Sequence, residues 1–242
     1  KTAYEIRPRD WSSDVCSSDL ITADFALSPE RAGLLIFVGG LVVGIGAPVF
    51  AWATAAIDRR RLLTAALVLY AVGHVASALA PSFGLLLALR AATVVGAAIF
   101  TPQAAATVGL IVPAERRAGA IAFIFIGWSL ASVFGIPLGS LLGEHLGWRE
   151  TCLLMALASA ATALVVFLAL GSGLRVSPIR MESWRRVATS PALLIVLLVT
   201  LFSMSGQFTL FSYVTPVLKM AYGASPEAIA LAFALVGAAG VA

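Results

Sequence analysis

Charge is what this sequence has least of. Asp, Glu, Lys and Arg make up 12% of its 242 residues and hydrophobic residues 60%, with a mean hydropathy of +0.99; soluble domains carry about 25% charged and 45–50% apolar residues. A water-soluble globular domain is therefore excluded. Cysteine is nearly absent too: Cys16 lies in a polar leader and Cys152 in an apolar run, so neither a disulfide framework nor a thiolate metal cluster is expected. Catalytic signatures are missing. No His-Glu-x-x-His, no Gly-x-Ser-x-Gly and no paired aspartates occur in any apolar run, which argues against an intramembrane enzyme and against a cofactor or metal. Gly44-Ile-Gly46 lies inside an apolar helix with no strand before it, so it is not a nucleotide loop. The formal charge of +4 sits in short loops and not on one helix face, so nucleic acid is not an expected partner.

What is present is a succession of long apolar runs. Each is about 20 residues or more, enough to cross ~30 Å of hydrocarbon at 1.5 Å per residue. We expect an all-α polytopic membrane bundle with spans at 31–57, 62–80, 83–112, 118–142, 150–170, 191–220 and 225 to the end. Turn chemistry marks the breaks: Ala-Pro-Ser at 80–82, Pro-Ala-Glu-Arg-Arg at 113–117 and Gly-Ala-Ser-Pro at 223–226.

The first twenty residues differ from the rest. KTAYEIRPRDWSSDVCSSDL is polar and has no apolar stretch of the kind a secretory signal needs. Lys1 to Ile6 and Arg9 to Leu20 resemble a translated sequencing-library adapter, so 1–20 is read as a non-native leader. Residues 21–172 then form a first half of the bundle, 173–190 a linker broken by Pro178, and 191–242 the start of a second half.

Basic residues orient the bundle. Counting alternate sides, Arg59, Arg60, Arg61, Arg116, Arg117, Arg175, Arg180, Arg185 and Arg186 fall on one side, and Arg31, Arg149 and Lys219 on the other. Cytoplasmic loops are the arginine-rich ones, so the loops at 58–61, 113–117 and 171–190 are expected in the cytoplasm of a cell with an inner (plasma) membrane.

Gly127, Ala131, Gly135, Gly139 and Gly143 recur every four residues and share one helix face. Small residues there admit a neighbouring helix at close range, and Pro137 within the stripe should bend the helix.

These residues carry a resemblance. Gly135-Ile136-Pro137-Leu138-Gly139 followed by Gly147-Trp148-Arg149 resembles the fifth-helix antiporter motif of the major facilitator superfamily, in its drug and sugar efflux branch, with Ile136 where the family places glycine. Leu87 to Ala98 resembles the fourth-helix motif, with Arg90 at the arginine but Thr93 and Val94 where glutamine and glycine are usual. The stretch AAIDRRRLL resembles the loop between the second and third helices. Arg59 and Arg60 keep its basic pair, while Ala55 and Ala56 replace aspartate and arginine, and Asp58 stands in place of glycine. The resemblance implies a partial major facilitator fold, helices 2 to 8 of 12, from a complete protein that is monomeric and exchanges a small-molecule substrate for protons. It also implies that the coupling acid lies on the missing first helix, because Asp24, Asp58, Glu115, Glu144, Glu150, Glu182 and Glu227 all fall in loops or at helix ends and Glu30 borders the first span.

Arg90 is the residue on which function turns. A mid-span arginine costs about 2.5–3.5 kcal/mol on insertion scales, and so implies an inward partner or a wet cavity; snorkelling to the nearer helix end is the alternative. Arg90, Thr93, Ala97 and Thr101 share a face suited to a substrate pathway, whereas Gln103 lies on a different one. Ser203 to Pro216 is the second pathway candidate: Gln207 is an amide in hydrocarbon, Phe211 and Tyr213 offer an aromatic wall, and Gly206 and Pro216 permit a discontinuous helix. Tyr70, His74 and Trp128 read as packing or lining residues. A seven-helix receptor or a non-transporting scaffold is the rival reading. It predicts one closed bundle, where the transporter reading predicts an open assembly with an uncovered apolar face.

Overall fold

A computed structural model describes residues 21, 24–175 and 181–225, with 228, 231, 232 and 235 beyond them. Contacts divide the chain into two compact units, 1–176 and 177–242. The first is an antiparallel bundle. Helix α1 (Pro29–Ala53) begins where Ser28 is extended and Pro29 supplies a helical φ without losing a bond the first turn could make. Helix α2 (Arg59–Ala78) is capped by Asp58, and α3 (Phe83–Ile111) by Ser82, each side chain accepting from the N–H three residues on. At 29 residues α3 is about 44 Å long, more than a bilayer core requires.

A 3₁₀ turn (Ala114–Arg116) leads into α4 (Arg117–Leu130), a π turn (Ala131–Gly135) and α5 (Ile136–Leu146). The span expected at 118–142 thus forms as one continuous helical run with a π turn inside it. Pro137 has no N–H to return to the preceding turn, and the register widens just before it. Gly147, at φ +105, reverses the chain into α6 (Trp148–Ala169). In the second unit α7 (Met181–Thr189) precedes α8 (Pro191–Tyr222). Helix α8 runs on through Gly206 and Pro216, so the discontinuity those residues permit is not formed. In an apolar run the backbone has no partner better than its own helix.

Helix α2 is the centre of the first unit. It packs on α3 and α6, and α1 packs on α3. Leu62, Leu63, Ala66, Ala71 and Ala78 of α2 are buried. A Cβ on Gly96 would stand 2.6 Å from the Ala66 carbonyl oxygen, and one on Gly73 would overlap the Thr93 hydroxyl. The backbones therefore touch at two glycines, the way membrane helices associate when lipid is as apolar as leucine. The opposite faces are apolar and open: Ile36, Phe37, Leu79, Phe123 and Leu168 are each more than 60% exposed. Among the described residues four helices have the length and composition to cross a membrane, Gly33–Ala53, Arg59–Ala78, Phe83–Ile111 and Trp148–Ala169.

Candidate functional site

The polar groups of the bundle gather at three levels. Within the membrane-spanning level Arg90 of α3 is half-buried, and its charge acts on His74 of α2 and Cys152 of α6. His74 is buried with its ring edge against Tyr70, centroids 4.6 Å apart, and neither ring nitrogen has a hydrogen-bond partner among the described residues. No carboxylate pairs with Arg90 among the described residues. The strip drawn through Arg90 is uneven. Thr93 is fully buried, its hydroxyl donating to the Leu89 carbonyl at 2.7 Å while its side chain fills the notch at Gly73; Thr101 is exposed. Thr93 therefore joins α2 to α3, a placement that depends on the Gly73 notch and so could not be read from α3 alone. The side chains of Gln207, Phe211, Tyr213, Pro137 and Trp128 lie outside the described residues.

At one end of the bundle lies a node that sequence reasoning missed. Arg59, the first residue of α2, is 1% exposed. Its Nη1 donates to Gln103 Oε1 at 2.5 Å and its Nη2 to the Ala55 carbonyl at 3.0 Å, while Gln103 Nε2 donates to Thr54 Oγ1 at 3.3 Å. The C-terminus of α1, the N-terminus of α2 and the C-terminal third of α3 are tied through one guanidinium. All of its acceptors are neutral, and its Nε has none among the described residues. The signal was an isolated amide, Gln103, in an apolar run; nothing local pairs it with an arginine 44 residues away. Beside it the Arg60 guanidinium lies 4.0 Å over the Phe167 ring of α6.

At the other end Arg149 binds three loops together. It pairs with Asp24 at 2.5 Å, reaches the Ala80 carbonyl at 3.5 Å and stacks 4.3 Å over Trp148, whose Nε1 also donates to Asp24 at 3.1 Å. The Arg149 and Trp148 bonds hold the Asp24 carboxyl below its ordinary value.

The glycine stripe is uncovered. Gly127 and Gly135 are exposed and Gly139 half-buried, and among the described residues no atom of a neighbouring element stands within 4 Å of a Cβ built on any of the three. Gly143, at the far end of the stripe, is buried. No group of three His, Cys, Asp or Glu that could hold a metal occurs among the described residues.

Comparison with known proteins agrees with this architecture. The chain is 29% identical over 217 residues to the uncharacterized MFS-type transporter YtbD of Bacillus subtilis, covering 88% of this chain and 54% of that protein. It is 29% identical over 211 residues to the inner membrane transport protein YdhP of Escherichia coli, covering 87% and 54%. A probable sugar efflux transporter of Helicobacter acinonychis is likewise 29% identical, with 91% and 56% covered. The chain thus spans about half the length of the curated relatives it matches. Among solved structures, a mutant of the peptide transporter POT in complex with sulfate superposes with a TM-score of 0.56 at 20% identity, over 74% of this chain and 38% of that one, a likeness of fold. The family model of the Major Facilitator Superfamily matches residues 16–242, and the chain belongs to that superfamily.

Proposed function

We propose that this chain is part of a permease that expels a small molecule, a sugar or a drug, in exchange for protons by alternating access across a bacterial-type inner membrane. Transport, not catalysis, is its activity. The observation that carries the reading is Arg90: a cation in a spanning helix, half-buried and without a carboxylate among the described residues. Arginine keeps its proton, so it serves by holding and releasing an acid that does exchange one. The substrate passes along Arg90 and Thr101 on α3; Gln207, Phe211 and Tyr213 of α8 are a second, separate pathway candidate. The arginine-rich turn at 58–61, with 113–117 and 171–190, faces the cytoplasm. Support for efflux comes from the fifth-helix motif at Gly135, Pro137 and Gly139 and from the sugar efflux relative.

The test uses the complete permease with Arg90→Lys and Arg90→Gln. Proton-driven efflux should fall at least about a hundredfold in the glutamine variant, the size of losing one buried ion pair, while substrate exchange without a proton gradient persists. Loss of both activities together, or of neither, would remove Arg90 from the coupling step.

A further inference from the structure

The turn between α1 and α2 departs from the family pattern by carrying Asp58 in place of glycine, and both oxygens of that carboxylate are engaged. Oδ1 accepts from the N–H of Arg61 at 3.3 Å. Oδ2 accepts from the N–H of Gly173 at 2.5 Å, from a residue 115 positions away. One step along, the Arg59 N–H donates to the Leu174 carbonyl at 2.9 Å. The Arg59 amide is one of the donors a helix start leaves without an internal partner, and here the exit of α6 supplies one. Gly173 sits at φ +88, a conformation that favours glycine, so the segment is shaped for this contact. Desolvation raises the Asp58 carboxyl, but the Arg61 and Gly173 amide bonds, with the Arg61 charge and the Arg60 amide, together hold it below its ordinary value.

A capping residue needs one acceptor, and Ser or Asn provides it. Asp58 uses two, on the Arg61 amide at the start of α2 and the Gly173 amide beyond the end of α6. We propose that Asp58 is a strap: it anchors Gly171–Arg175 to the start of α2 and so shortens the length of chain left to connect the two units. The division between the units falls directly after, at 176 and 177. Releasing the strap frees five residues, about 17 Å of extended chain. On the transport reading above, that length sets the play between two halves that must rock. The strap itself is tested without transport, so failure of one does not imply failure of the other.

The experiment takes this chain in detergent micelles at neutral pH and compares it with Asp58→Ser and Asp58→Asn. Both variants keep one acceptor for the Arg61 amide and lose the second oxygen. Amide exchange at Gly173 should accelerate about tenfold, the size expected for losing one charge-assisted hydrogen bond, and trypsin should cut faster after Arg175, while α2 amides stay protected. Gly173→Ala, which disfavours the required φ without touching α2, should speed the Arg175 cut in the same way. Unchanged exchange and cleavage in the Asp58 variants would refute the strap. So would equal loss of protection along α2, which would make Asp58 a helix cap alone.

Discussion

The Arg59–Gln103 pair makes the sharpest energetic prediction, because the structure buries a charge among neutral partners. Gln103→Met keeps an unbranched side chain of similar size but removes the acceptor 2.5 Å from Nη1 and the donor 3.3 Å from Thr54 Oγ1. A bond to a charged group contributes about 1.5–3 kcal/mol and a neutral one about 0.5–1.5 kcal/mol, so the variant should lose roughly 2–4 kcal/mol. Arg59→Met strands the amide instead, at about 1–3 kcal/mol for a buried polar group left unsatisfied. The double variant strands neither. Replacing a whole buried polar pair by apolar groups is often close to neutral, so its cost should be well below the sum of the singles, with a coupling of about 1.5–3 kcal/mol. The assay is reversible unfolding of this chain in mixed detergent micelles, followed by helix circular dichroism, for wild type, both singles and the double. Additivity within about 0.5 kcal/mol would show that the two side chains do not interact, and the node would be refuted.

Other outcomes follow from the same geometry. Gly73→Ala should destabilise by about 1–3 kcal/mol through overpacking against Thr93, whereas Gly127→Ala, with open space around it, should stay within about 0.5 kcal/mol; the same unfolding assay separates them. Asp24 has a depressed carboxyl pKa in the folded state, so the Arg149 clamp contributes stability above the unfolded value of 3.8 and loses it as pH falls through the lower folded value. Between pH 7 and 5 nothing should change, and in Arg149→Gln the Asp24 titration, read by NMR, should move up toward 3.8. The 242-residue chain as written should show no efflux or counterflow, because it spans about half of its relatives; a clear transport signal would overturn that expectation.

Membrane class, helix positions and family were legible because they depend on local properties. A run of about 20 apolar residues specifies a span wherever it sits in the chain, and Ser82, Asp58 and Gly147 mark helix ends by their own chemistry. The antiporter-type stripe and the basic turn are likewise contiguous in sequence. Details depended on competing neighbours: the span expected at 118–142 forms with a π turn before Pro137, and α8 runs through Gly206 and Pro216 because hydrocarbon offers a broken backbone nothing else to bond.

The site was legible only in part. Arg90 stands out alone, since a charge in an apolar run is costly wherever its partner lies. Thr93, drawn on the same face, turned out to fill the notch at Gly73. Hydropathy and periodicity by themselves determined that this chain crosses a bilayer as antiparallel helices. Tertiary structure alone decided that Arg59 meets Gln103, that Asp58 reaches Gly173 and that Asp24 receives Arg149. Those partners are 44, 115 and 125 residues apart; their short polar bonds form only after helices of the right length and order bring distant ends together, and no local pattern encodes that meeting.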